Sequence, residues 1–186
     1  INGVPVPSFT GAVTDVCADS EVTYTLSDTY SSYLWDVSGG TVTGGGTAGT
    51  NYIPVRWGNG PAGMISVEVT SAASCSGTTT LDISIYNLEG AITMQSDITC
   101  NGANDGTVTA AAVPGTGLPP YEYSVDGGTY QPDGSFTGLA PGSHTIRIRD
   151  GLLCTIDLPF NLDQPPVLTG VVSSQTNVEC YGETTG

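Results

Sequence analysis

Residues 88–106 (LEGAITMQSDITCNGANDG) return in altered form at 168–186 (LTGVVSSQTNVECYGETTG), 80 positions further on. Leu88/Leu168, Gly90/Gly170, Gln95/Gln175, Cys100/Cys180, Gly102/Gly182 and Gly106/Gly186 are identical, while Ile92/Val172, Ser96/Thr176, Asp97/Asn177 and Ile98/Val178 are close exchanges. Six identities in nineteen positions, a cysteine and three glycines among them, mark an internal repeat. A period of 80 residues confines the fold to modules of that size, each closing its own small core and meeting only its neighbours. The expected organisation is a first unit over 1–87, a second over 88–166, and the opening of a further copy over 167–186. Ile1 falls inside the first unit with no charged leader before it, so the chain reads as a segment of something longer.

The local pattern within each unit is that of strands. In Met64–Thr70, Ile65, Val67 and Val69 alternate with Ser66 and Glu68, which sends the apolar set to one face of a pleat. Similar runs occupy Val22–Leu26, Tyr33–Val37, Tyr52–Trp57 and Thr79–Tyr86, with Gly39–Gly40 and Gly44–Gly46 as turns between them. The second unit offers Thr107–Val113, Tyr121–Val125, His144–Arg149 and Thr155–Leu158, punctuated by Asp126–Gly127, Asp133–Gly134 and Asp150–Gly151. In such turns Asp bonds the nearby backbone and Gly supplies a positive φ. No segment carries a helical period, and the expected fold is all-β, with tandem immunoglobulin-like sandwiches. Pro165–Pro166 forms a stiff connection to the next copy.

Cys17, Cys75, Cys100, Cys154 and Cys180 are too widely spaced for a C-x-x-C motif, and a single histidine cannot complete a zinc site. Disulfides in an oxidising compartment fit better. Spacing favours Cys17 with Cys75 and Cys100 with Cys154, because the separations 75 − 17 = 58 and 154 − 100 = 54 are nearly equal. Each unit would then hold one bridge worth roughly 4 kcal/mol by loop-closure entropy. Trp35 would pack against the first bridge. Cys180 would stand unpaired by truncation, its mate lying past Gly186.

The charge balance narrows the function. Eighteen acidic residues face three arginines and no lysine, for a net charge of −15. Such a surface repels nucleic acids and anionic membranes, and no stretch approaches the ~20 apolar residues of a membrane span. Without lysine, Lys–Asn isopeptide crosslinks are excluded. Catalysis lacks its usual parts: His144 is the only histidine, and it shares a strand face with Ile146 and Ile148, which points to a structural role. The chain is therefore expected not to be an enzyme, and no cofactor is required. Asn101, Asn104, Asp105 and Asp150 are candidate oxygen ligands for a structural calcium; the competing role for them is Asx-turn capping. Tyr121, Tyr123 and Tyr130 are candidates for a sugar-stacking platform, against core packing as the plainer alternative.

The second unit resembles a SprB repeat of the Bacteroidetes gliding-motility and surface adhesins. The matching residues are Cys100-Asn101-Gly102, Asn104-Asp105-Gly106, Pro120-Tyr121-Glu122-Tyr123-Ser124, Leu139-Ala140-Pro141-Gly142-Ser143-His144-Thr145, Asp150, Cys154 and Gln164-Pro165. Leu152–Leu153 departs from the glycine usual before the second cysteine. The first unit is similar to PKD-like, immunoglobulin-like domains, through Tyr33-Leu34-Trp35-Asp36-Val37-Ser38-Gly39-Gly40, Ile53-Pro54-Val55-Arg56-Trp57-Gly58 and Cys75. The resemblance implies a long repetitive protein on the cell surface, exported by the type IX route and serving attachment and gliding as a stalk. Its implied partners are neighbouring repeats of the same chain, with surface polysaccharide or a substratum beyond them. A carbohydrate-binding module of a secreted protein is the alternative.

Overall fold

The computed structural model describes residues 3–176 and 181–182. Seven strands build the N-terminal sandwich: β1 (Asp15–Cys17), β2 (Glu21–Thr25), β3 (Ser32–Ser38), β4 (Gly40–Val42), β5 (Tyr52–Trp57), β6 (Ala62–Thr70) and β7 (Ser76–Tyr86). One sheet has the order β1-β7-β6-β3 and the other β2-β5-β4. The alternation in β6 works as its sequence requires. Ile65, Val67 and Val69 are fully buried, whereas Glu68 faces solvent. Across the gap between the sheets stand Tyr24, Ile53, Val55 and Trp57. The Trp57 indole N–H donates to the Tyr24 hydroxyl at 3.1 Å, so the largest core side chain is buried without an orphaned donor. Trp57 and not Trp35 fills the centre; Trp35 is half-buried and donates to the Thr50 carbonyl at 3.1 Å.

The C-terminal sandwich holds β8 (Gly90–Ser96), β9 (Gly106–Ala112), β10 (Glu122–Val125), β11 (Ser135–Leu139), β12 (Gly142–Arg149) and β13 (Thr155–Leu162). Its sheets have the orders β10-β12-β13 and β11-β9-β8. Leu88, Val108, Tyr123, Ile146 and Ile148 form its core. The glycines of the internal repeat have physical reasons here. A Cβ on Gly90 would lie 2.5 Å from Ile148, and one on Gly106 would lie 2.6 Å from Leu162. Gly102 and its counterpart Gly182 both hold a left-handed backbone, at φ 80° and 92°.

The cysteine pairing differs from the one expected. Among the described residues a single bridge joins Cys17 to Cys154 across the two sandwiches, over 137 residues, and Cys75 and Cys100 are free thiols. Strand length explains why. Cys17 pairs with Tyr86 at the end of β7, while Cys75 stands just before Ser76 at its start. An eleven-residue strand therefore separates them, roughly 35 Å where a disulfide spans about 6 Å. Cys154 likewise precedes β13, whereas the Cys100 loop touches Gln164 and Pro165 beyond its far end. Neither sandwich carries its own bridge, and Trp35 has no bridge to cover. Cys180 lies outside the described residues.

Candidate functional site: a bridged junction

The junction is short. Tyr86 ends β7 of the first sandwich, and Leu88, one residue past Asn87, is already in the core of the second. The disulfide adds a second covalent tie beside this linker. Cys17 reaches over from β1 and packs against the second core, and Cys154 is 6% exposed within it. The Cα atoms of the pair lie 5.5 Å apart. Clefts of about 500 Å³ and 400 Å³ flank the junction, the first lined by Cys17, Asp19, Asn87 and Leu153, the second by Pro61, Tyr86, Glu89 and Thr116.

Asp150 holds the bridge in place. The residue is 2% exposed. Oδ1 accepts the N–H groups of Leu152 and Cys154, both at 2.9 Å, and Oδ2 accepts that of Leu118 at 2.8 Å. Asp150 N–H in turn donates to the Cys154 carbonyl at 3.0 Å, and Leu153 takes φ 66° to close the turn. The carboxylate thus replaces water for three backbone donors and fixes the backbone that carries Cys154. On the other side, the Tyr86 hydroxyl donates to Asp15 at 3.3 Å. Desolvation and the nearby Asp15 and Asp150 carboxylates push its phenol up from the ordinary tyrosine range.

Two family models match these two bodies. Residues 4–85 match the PKD-like domain, and residues 92–130 match the SprB repeat. The chain thus matches a PKD-like domain and, after it, part of a SprB repeat. Domains of both kinds are typical of extracellular proteins. No curated protein matches the chain in sequence. Among solved structures, the C-terminal 282-residue fragment of intimin, in complex with the intimin-binding domain of its translocated receptor, aligns with TM-score 0.51 and 12% identity. The alignment covers 87% of this chain and 64% of that fragment, so the chain spans less than two thirds of it. Fibronectin(III)-like modules of Clostridium thermocellum CbhA align at TM-score 0.40 and 12% identity, over 86% of this chain and 95% of theirs. The intimin likeness shows the fold. Among the described residues no helix is long and apolar enough to cross a membrane.

The remaining candidate residues of the SprB repeat fall into separate local roles. The Asp105 carboxylate accepts both the hydroxyl and the N–H of Thr99, and these two bonds hold its pKa below the usual carboxylate range. The Asn101 side-chain amide donates to the Pro165 carbonyl at 2.9 Å. Cys154 pairs with Cys17, so no Cys100–Cys154 bridge draws Asp150 toward the Cys100 loop. Among the described residues no group of three or more His, Cys, Asp or Glu side chains could hold a metal. Asn104 is exposed in the same loop.

The tyrosines are also dispersed. Tyr123 is buried, and its hydroxyl accepts the Ala112 N–H at 3.2 Å. Tyr121 packs against the same core and donates to the Thr116 carbonyl. Tyr130 lies under the Arg149 guanidinium, 3.8 Å from the ring centre. A cleft of about 450 Å³ beside Tyr130 is lined by Asp126, Thr145, Arg147 and Asp157, but Arg147 and Asp157 are already paired at 2.6 Å.

His144 is clamped rather than reactive. Nδ1 lies 2.6 Å from Asp126 Oδ2, Nε2 lies 2.9 Å from the Ala140 carbonyl, and Phe160 stacks on the ring. Both partners accept only, so both ring nitrogens must donate. The Asp126 and Ala140 bonds accordingly raise the His144 pKa, with burial opposing them. Burial would raise the Asp126 carboxyl, but the bonds from His144 and the Thr145 N–H outweigh it and draw the pKa down. Asp150, which the sequence offers as an oxygen ligand or as an Asx-turn cap, accepts the Leu152 and Cys154 N–H groups, and its positioning of the bridge is the role that sequence reasoning missed. Its signal was available as an acidic residue four positions before a cysteine, at a turn.

Proposed function

We propose that this chain is a spacing and tension-bearing segment of a large cell-surface adhesin that serves surface attachment and gliding motility. The observation that supports this reading is the Cys17–Cys154 bridge, placed between modules instead of inside one. A bridge within a module would stabilise that module alone. A bridge across a junction denies the two bodies free rotation about Asn87 and turns a flexible hinge into a stiff one. That is the property a stalk needs. Export by the type IX route, display at the cell surface, and contact with neighbouring repeats and a polysaccharide or other substratum belong to the same proposal. The units 1–87 and 88–166 are its mechanical modules.

Small-angle scattering tests the stiffness directly. The oxidised chain should give one narrow distribution of pair distances, and Cys17→Ser should broaden it. An identical distribution for both would remove the reason to read the junction as a stiffened joint. For attachment itself, cells carrying Cys17→Ser in the full protein should keep surface display and lose adhesion under flow. Unchanged adhesion under flow would count against the role.

A further inference from the structure

The two sandwiches share one cysteine plan, with a cysteine at each end. At the head of the SprB repeat, Cys154 is the last residue before β13 and closes the turn begun by Asp150. Cys75 occupies the same place in the PKD-like domain. It is the last residue before β7, its N–H donates to the Ser71 hydroxyl at 3.3 Å, and Ser71 N–H donates to the Cys75 carbonyl at 2.9 Å. Ser74 and Leu153, each preceding its cysteine, take φ 60° and 66°. Ser74 N–H donates to the Ser71 carbonyl as Leu153 N–H does to that of Asp150. The two turns share these bonds and the left-handed residue, and Asp150 adds two more by accepting the Leu152 and Leu118 N–H groups.

The tails correspond as well. Cys17 ends β1, and the next residue, Ala18, donates its N–H to the Tyr86 carbonyl at the end of the last strand, at 2.9 Å. Cys100 follows β8, and nearby Ile98 donates to the Asp163 carbonyl just past β13, also at 2.9 Å. Tail Cys17 and head Cys154 are joined. Tail Cys100 is exposed and free, beside the exit that its own loop grips through Asn101 to Pro165 and Gly102 N–H to Gln164. Past that exit the repeat restarts at Leu168.

We propose that Cys100 is the tail half of a second inter-module disulfide, whose head half is the counterpart of Cys154 in a following copy of the repeat. By the same plan Cys75 offers a head position on the N-terminal side. The near-equal separations of 58 and 54 residues then record equivalent places at opposite ends of similar folds. Each bridge forms as two thiols give up two protons and two electrons to a small disulfide oxidant, which leaves as two thiols. The inference rests on reading the chain as one link of an array, yet it is tested by a bond and not by adhesion.

The test extends the whole chain after Gly186 with a copy of residues 107–166, which completes the repeat opened at 168. The copy carries Thr155→Ser so that its head peptide differs in mass from the original. After oxidation with oxidised glutathione and alkylation, unreduced peptide mapping should find Cys17 with Cys154 and Cys100 with the copy's head cysteine, while Cys75 and Cys180 are alkylated. Cys100→Ser should leave the copy's head cysteine alkylated. An alkylated Cys100 beside an intact Cys17–Cys154 bridge overturns the proposal, as does a copy whose head cysteine joins Cys180. Failure of the Cys17–Cys154 bridge itself would remove the plan on which the proposal stands. A missing second link would leave the stiffened first junction to its own scattering test.

Discussion

Pulling the chain from its two ends distinguishes a bridge across modules from bridges within them. The Cys17–Cys154 bond spans 137 residues, and at 3.6 Å per residue it withholds about 490 Å of contour from the applied force. What can extend is 186 − 137 = 49 residues, about 180 Å at full stretch. Force entering at either end passes along β1, through the sulfur bond and out along β13, so most strands of both sandwiches carry none of it. Single-molecule force spectroscopy between handles at residues 1 and 186 reads this length. Without reductant the chain should release no more than about 180 Å, and reductant or Cys17→Ser should add about 490 Å. Bridges within each unit would withhold 58 and 54 residues, about 400 Å together. A gain of that size on reduction, or no gain, would refute the reasoning.

Other consequences follow from the same geometry. Cys17→Ser should lower stability by up to about 5 kcal/mol by loop-closure entropy over 137 residues, and denaturant titration should resolve two transitions where the bridged chain shows one. Asp150→Ala strands three backbone donors and should cost about 3 kcal/mol, with slower formation of the Cys17–Cys154 bridge during oxidative refolding. Because the His144 pKa is raised, its stabilisation is complete below the ordinary histidine value and is lost as pH rises through the raised one. Asp126 is half exposed, so the loss should be at most about 1 kcal/mol; the melting temperature should fall as pH rises above the ordinary histidine range, and His144→Phe should flatten that slope. Calcium and chelator should leave the melting temperature where it is, since the oxygens of Asp105 and Asp150 are already engaged by the backbone.

Much of the fold was legible because a pleat with one buried face forces alternation. Ile65, Val67 and Val69 announced β6, and Ile146 and Ile148 announced β12 with His144 on their side. Strands without that constraint were missed. β8 is mostly exposed and carries a register shift between Ile92 and Met94, and β11 is short and bulged between Thr137 and Leu139. The bridge was illegible for a different reason. Spacing along the chain says nothing about which end of a strand a residue occupies. Cys75 and Cys154 sit in alike turns, as Cys17 and Cys100 sit in alike tails, so equal spacing reflected repeated architecture and not contact. The part Asp150 plays at the bridge was illegible with them, since Leu118 reaches its carboxylate only once the sandwich closes.

Peptide mapping of the oxidised chain under non-reducing conditions, with free thiols alkylated first, tests the central claim most directly. A single crosslinked species joining the peptides of Cys17 and Cys154, with Cys75 and Cys100 alkylated, is the expected result. Peptides joining Cys17 to Cys75, or Cys100 to Cys154, would contradict it and return the two modules to independent, freely hinged bodies.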